Sequence, residues 1–240
     1  MTHSDIYTKF MIEYDKANIT SSYPSLTKYE IATILDKAYL ALIAQKYTGN
    51  NPRRQPFESD MKAIEDLQPL ITQTTYIAKR IGDNSYEVWA NNDSVLYIVD
   101  LSLKIASKTT SQDGGDHNYI PVNIVSHEIA RRFKSTVNNM PWVKEPVACI
   151  EEHKLIIYVD PSIAKINGKG NDVISTYIQR PAKFAIGPGT STKDYDFGDT
   201  DFELSDSMAE ELINLAIIMS TEIVESSRLT TKSNTRPLES

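Results

Sequence analysis

Apolar positions fall four apart at the start of the chain, where Ile6, Phe10 and Tyr14 share one face of a predicted first helix with Ser4 or Asp5 placed to cap it. A polar connection containing Pro24 follows. In TKYEIATILDKAYLALIAQKYTGN, Ile31, Leu35, Ala38 and Leu42 recur at helical spacing, flanked by Ile34 and Ala41. Thr27 and Glu30 spell a capping box, and Gly49 marks the C-terminal stop. Past the turn at Asn50-Asn51-Pro52, FESDMKAIEDLQPL predicts a third helix that ends before Pro69.

From Thr72 the period shortens. TQTTYIAKR and YEVWA are short β-branched or aromatic segments separated by Gly82-Asp83-Asn84-Ser85, a hairpin signature. SVLYIVDLSLKIA predicts another strand and SQDGGDHN a loop. NIVSHEIARRFKST predicts one helix, with Ile124, Ile129 and Phe133 as its apolar positions. Strand patterns return in VACIEEHKLIIYVD and DVISTYIQRPAKFAI, separated by the loop of Gly168 and Gly170.

The last predicted helix, LSDSMAEELINLAIIMSTEIVESSR, carries two stripes. Met208, Leu212, Leu215, Met219 and Ile223 form one, and Ile213, Ile217 and Val224 form the other. Ser205 or Ser207 caps it, with Glu210 completing a capping box from Ser207. Two stripes mean either a helix sandwiched inside its own domain or a helix with one face on a neighbouring subunit. Under the second reading Ile213, Ile217, Val224 and Arg228 are the oligomer-interface candidates.

Together these patterns predict an α+β fold. N-terminal helices (1–71) and a long C-terminal helix (204–228) form a bundle, with an inserted, mostly antiparallel β-rich region (72–190) carrying one helix. An acidic linker (191–203) leads into the last helix, and a tail (229–240) with almost nothing to bury is expected to be held by a partner.

Composition narrows the function. Of 240 residues, 40% are hydrophobic and 24% charged, as in ordinary globular proteins. The start of the chain lacks the basic segment and apolar core of a signal peptide, and a single cysteine, Cys149, points to a reducing compartment. The run from Leu212 to Met219, interrupted by Asn214, falls far short of the roughly 18 apolar residues a membrane span needs. A net charge of −7 repels nucleic acid at long range, and the clusters Arg53-Arg54, Lys79-Arg80 and Arg131-Arg132 with Lys134 are too short to reverse that.

No constellation predicts an active site, a metal or a cofactor. His127-Glu128 begins the zinc-protease helix pattern, but Arg131 stands where the second histidine belongs, and His3, His117 and His153 are distant in sequence. Counting from Asp194 through Asp196, Asp199, Asp201, Glu203 and Asp206, the diagnostic EF-hand glycine and glutamate are replaced by Asp199 and Ser205. INGKGND lacks phosphate-loop spacing. Cys149 and His153 share a face if they lie on one strand, without a glycine-flanked nucleophile, while Glu151 and Glu152 point to opposite faces.

Two ends of the chain are familiar together. PSLTKYEIATILDKAYLALIAQKYTGNN and FELSDSMAEELINLAIIMSTEIVESSR, with YIQRPAKF before the second, resemble structural proteins of crAss-like tailed bacteriophages that form ring or adaptor layers of the head-to-tail connector. The resemblance covers roughly the first 70 and last 60 residues. It implies a virion protein made in the host bacterial cytoplasm, with no catalytic residues and no cofactor. It also implies a homo-oligomeric ring, twelve-fold if it follows the portal. Its partners would be the portal and other connector or tail proteins, around a passage through which DNA moves without sequence-specific binding and with no membrane involved. The readings that compete with it are an intracellular enzyme of unrecognised type, such as a metal-dependent hydrolase using His127 and Glu128 or the acidic linker, and a monomeric binding module.

Overall fold

The structure, a computed structural model, describes residues 1–16, 26–48, 57, 60–82, 84–89, 94–105, 118–135, 141, 145–151, 154–160, 172–184, 197 and 200–223. The chain divides into two compact units: Met1–Leu70 with Pro181–Ser240, and Ile71–Arg180.

The first unit is helical. Helix α1 (His3–Lys16) opens on a capping box in which Thr2 Oγ1 accepts the Asp5 N–H and Asp5 Oδ2 accepts the Thr2 N–H, so the cap is Thr2 and not Ser4 or Asp5. Helix α2 (Lys28–Thr48) begins with the box read from the sequence: Thr27 Oγ1 accepts the Glu30 N–H and Glu30 Oε2 accepts the Thr27 N–H at 2.8 Å. Helix α3 is short (Met61–Leu67), is capped by Asp60, and runs into a 3-10 turn at Gln68–Leu70.

Both α1 and α2 pack on the later helix α5 (Asp206–Ile223), whose cap is Ser205, with its Oγ accepting the Met208 N–H. Glu210, expected in a capping box with Ser207, instead pairs with Lys9 of α1. Met208, Leu212, Ile213, Leu215, Ala216 and Ile217 are buried on α5, opposite Ile31, Leu35, Ala38, Leu42 and Ile43 among the buried residues of α2. Each such leucine or isoleucine contributes about 1.5–3 kcal/mol of burial.

The second unit is a β-sandwich. Strands β1 (Ile71–Tyr76), β2 (Ala78–Arg80), β3 (Ser85–Trp89), β4 (Val95–Ile105), β5 (Asn118–Pro121), β6 (Asn123–Ile124), β7 (Val147–Glu151), β8 (Lys154–Tyr158) and β9 (Val173–Gln179) form two sheets. Their orders are β1-β9-β4-β5 and β2-β3-β8-β7-β6. Every pairing is antiparallel except β6 with β7.

The chain turns from one sheet into the other at Ile77, between β1 and β2, and again at Val122, between β5 and β6. Asp172 ties the first corner. Its N–H donates to the Tyr76 carbonyl at 3.0 Å, and its buried carboxylate accepts the Ala78 N–H at 3.2 Å. Tyr86, Val88, Leu155 and Ile157 from one sheet meet Leu101, Leu103 and Val173 from the other.

Helix α4 (His127–Ser135) covers the outer face of the five-stranded sheet, where Ala130 packs with Val147, Cys149, Ile156 and Tyr158. Strand β8 is therefore covered on both faces, which is why KLIIY is nearly unbroken in hydrophobicity instead of alternating.

Two expectations are corrected. Among the described residues the fold is α+β with five helices and sheets of four and five strands, the helices are not a bundle, and no C-terminal helix longer than the 18 residues of α5 is seen. Helix α5 is described from Asp206 to Ile223, and residues 224–228 of the expected span lie outside the described residues. A bundle requires helices of matched length covering one another. Here α3 has 7 residues, and much of the cover comes from irregular segments instead. Phe184 and Phe202 lie against Tyr39 at ring-centroid distances of 6.2 and 5.0 Å, and Phe184 lies 4.5 Å from His3. The second correction concerns TQTTYIAKR, which is two strands in different sheets, because the corner at Ile77 interrupts it.

Candidate functional site

Among the described residues, one group of side chains with metal-ligating chemistry converges: His127, Cys149 and Glu151. Cys149 and Glu151 lie two apart on β7, so strand alternation puts them on one face. His127 reaches them because the chain after β6, parallel to β7, turns directly into α4. The register is fixed by the Asn123 N–H on the Pro146 carbonyl and the Val125 N–H on the Ala148 carbonyl, at 3.0 and 2.8 Å. Ser126 then starts the helix, its carbonyl accepting the Ala130 N–H, and His127 occupies the first turn.

Cys149 Sγ and His127 Nδ1 are 3.1 Å apart, with donor and acceptor set by the imidazole tautomer. The ligand atoms of all three residues lie within 4.8 Å of one another. Burial grades across the group: Cys149 is 1% exposed beneath α4, Glu151 is half-buried and His127 is exposed. On the same face the Tyr158 hydroxyl is pushed up, first by burial and then by the charges of Glu151 and Cys149. Lys154, opposite Glu151 in the ladder, extends to Glu87, 2.7 Å away. The arrangement joins a sheltered sulfur to two polar ligands open to solvent. A substrate has no approach to a thiol this deeply covered, so a nucleophilic role is disfavoured.

The residues singled out from the sequence are placed as follows. Ile213 and Ile217 are 1% and 0% exposed within the helical unit, so that stripe is covered by the chain itself. Val224 and Arg228 lie outside the described residues, as do Gly49, His117, His153, Gly168, Gly170, the 229–240 tail and Asp194, Asp196 and Asp199 of the acidic run. Glu203, from that run, accepts the Tyr39 hydroxyl at 3.4 Å and the Ala182 N–H at 3.2 Å. Glu128, the neighbour that gave His127 its protease-like pattern, pairs with Arg132 one turn on at 3.2 Å. The expected pairing of Cys149 with His153 lies outside the described residues, and the described histidine beside the sulfur is His127. The alternation of Cys149 and Glu151 was readable in the sequence; the approach of His127, 22 residues away, depends on the β6–β7 pairing.

In the helical unit Lys46 is the one buried lysine among the described residues, 3.0 Å from Asp66 and 3.1 Å from Glu211. Burial pulls its pKa down, yet the two carboxylates outweigh that and hold it above the ordinary value. The group joins α2, α5 and α3, and it is a structural clamp.

The sequence matches no protein-family model and no curated protein.

Proposed function

We propose that the chain is a non-enzymatic structural subunit of a tailed-phage virion, of the kind that forms a ring in the head-to-tail connector below the portal. The observation that supports this is where the resemblance falls. The familiar segments lie toward the two ends of the sequence, and the residues 1–70 and 181–240 that contain them make up one compact unit. Within it α2 packs on α5, so the two stretches that carry the likeness are partners in one core. YIQRPAKF spans the end of β9 and the return to that unit, where the Phe184 N–H donates to Asp36 Oδ1 at 2.9 Å.

In such a ring each subunit presents one surface to a different surface of its neighbour, and the contacts close when the rotation per copy closes. A net charge of −7 gives each copy a field that keeps passing DNA off the wall. Because Ile213 and Ile217 are spent on the internal core, the neighbour contact is sought elsewhere. Tyr29 and Leu40 of α2 are 54% and 39% exposed, and their spacing returns them to the same helix face.

Mass photometry of the purified chain, with and without the purified portal protein, tests the reading. A large discrete oligomer, alone or only with portal, is expected, and Leu40→Glu combined with Tyr29→Glu should shrink it to monomer while the circular dichroism is kept. A wild-type chain that stays monomeric and ignores the portal would falsify the ring.

A further inference from the structure

We propose that His127, Cys149 and Glu151 bind one divalent transition-metal ion of the zinc class, which pins helix α4 to the outer face of the five-stranded sheet. The inference concerns the sheet unit and does not depend on the ring. Three ligands of different chemistry arrive from two elements, one from the first turn of α4 and two from alternate positions of β7. A thiolate with an imidazole and a carboxylate suits zinc or cobalt, while magnesium and calcium prefer oxygen alone.

The dimensions agree. Tetrahedral bonds of about 2.0–2.3 Å set neighbouring ligand atoms roughly 3.5 Å apart. The three ligand atoms already lie within 4.8 Å of one another, and the Cys149–His127 pair, at 3.1 Å, needs to open by only a few tenths of an ångström. An ion enters from the solvent side, past exposed His127 and half-buried Glu151, and leaves its fourth position to water. On binding, the Cys149 thiol gives its proton to solvent, and the metal's charge stabilises the thiolate beside the Glu151 carboxylate. The charged neighbour opposite Glu151 in the ladder is Lys154, whose Nζ lies 2.7 Å from the Glu87 carboxylate.

The test uses the full chain. Elemental analysis after equilibration with zinc should give one ion per chain, and loading with cobalt should produce a thiolate-to-cobalt charge-transfer absorption. His127→Ala and Glu151→Gln replace side chains outside the core and should each weaken binding at least about tenfold, with the sheet's circular dichroism unchanged. Cys149→Ser should abolish the cobalt absorption. Absence of that absorption in the unaltered chain, or its persistence undiminished in His127→Ala and Glu151→Gln, would overturn the proposal. So would zinc binding of equal strength in all of these variants.

Discussion

The two units hold themselves together differently. The helical unit is discontinuous in sequence, and residues far apart close it with polar contacts: Lys46 with Glu211, Tyr39 with Glu203, Asp36 with the Phe184 N–H. The sheet unit is one continuous stretch held by backbone ladders, and its inner core is apolar apart from the buried Ser175 and the Asp172 corner. A helix satisfies its backbone alone, so partner choice falls to its side chains; a strand selects its partner through its backbone. Charge and pH therefore act mainly on the helical unit, and register on the sheet unit.

The largest expected effect breaks one unit and spares the other. Ile217→Asp places an unpaired carboxylate at a 0% exposed position and should cost about 4 kcal/mol or more. Hydrogen exchange should then show protection lost in α2 and α5 while β4 and β9 keep theirs. Loss in both units at once would make the chain a single cooperative body and end the contrast.

Next is Lys46→Ala, which leaves Asp66 and Glu211 without their shared cation and should cost about 3–5 kcal/mol by urea unfolding. Because the Lys46 pKa is raised in the fold, its stabilisation is complete below the unfolded lysine value and is lost as pH rises through the folded one. The variant should therefore remove part of the alkaline fall in stability.

In the sheet unit, Asp172→Ala strips the acceptor from the buried Ala78 N–H and should cost about 1–3 kcal/mol, while Asp172→Asn should recover part of it. If Asp172→Ala instead lowered the stability of the helical unit, the separation of the two would fail.

The smallest effect is on pH. Burial lowers the His3 pKa, and its ring lies against Phe184. The unfolded chain takes up a proton near pH 6.5, before the folded one does, so stability falls as pH drops below that point. His3→Phe should flatten this acid limb of the helical unit, as read by thermal melts from pH 7 to 5, and an unchanged limb would assign it to other groups.

Local signals in the sequence were readable where the chemistry is local. The Thr27–Glu30 box and the turn before β3 each follow from neighbouring residues. The helix expected over NIVSHEIARRFKST, by contrast, begins only at His127: Asn123 and Ile124 form β6, and Ile124 and Ile129 are exposed. The Ser207–Glu210 box was spelled as clearly, yet Glu210 faces Lys9, a partner no local pattern reveals. The corner at Ile77 was hidden because a strand that changes sheets keeps its β-branched composition on both sides of the bend. The His127–Cys149 pair was hidden for a similar reason, since the parallel β6–β7 contact has too few residues to leave a pattern. The two stripes of α5 were plain, but only the packed structure shows that residues of the same chain cover Ile213 and Ile217.

Strand β1 follows directly on the helical unit and β9 leads directly back to it, and Ile71 stands opposite Ile178 in their shared ladder. From the helical unit's side the whole sandwich is thus a loop whose two ends already touch, and lengthening a loop of fixed ends costs little entropy. Changing the length of the insertion therefore costs the helical core little in loop closure.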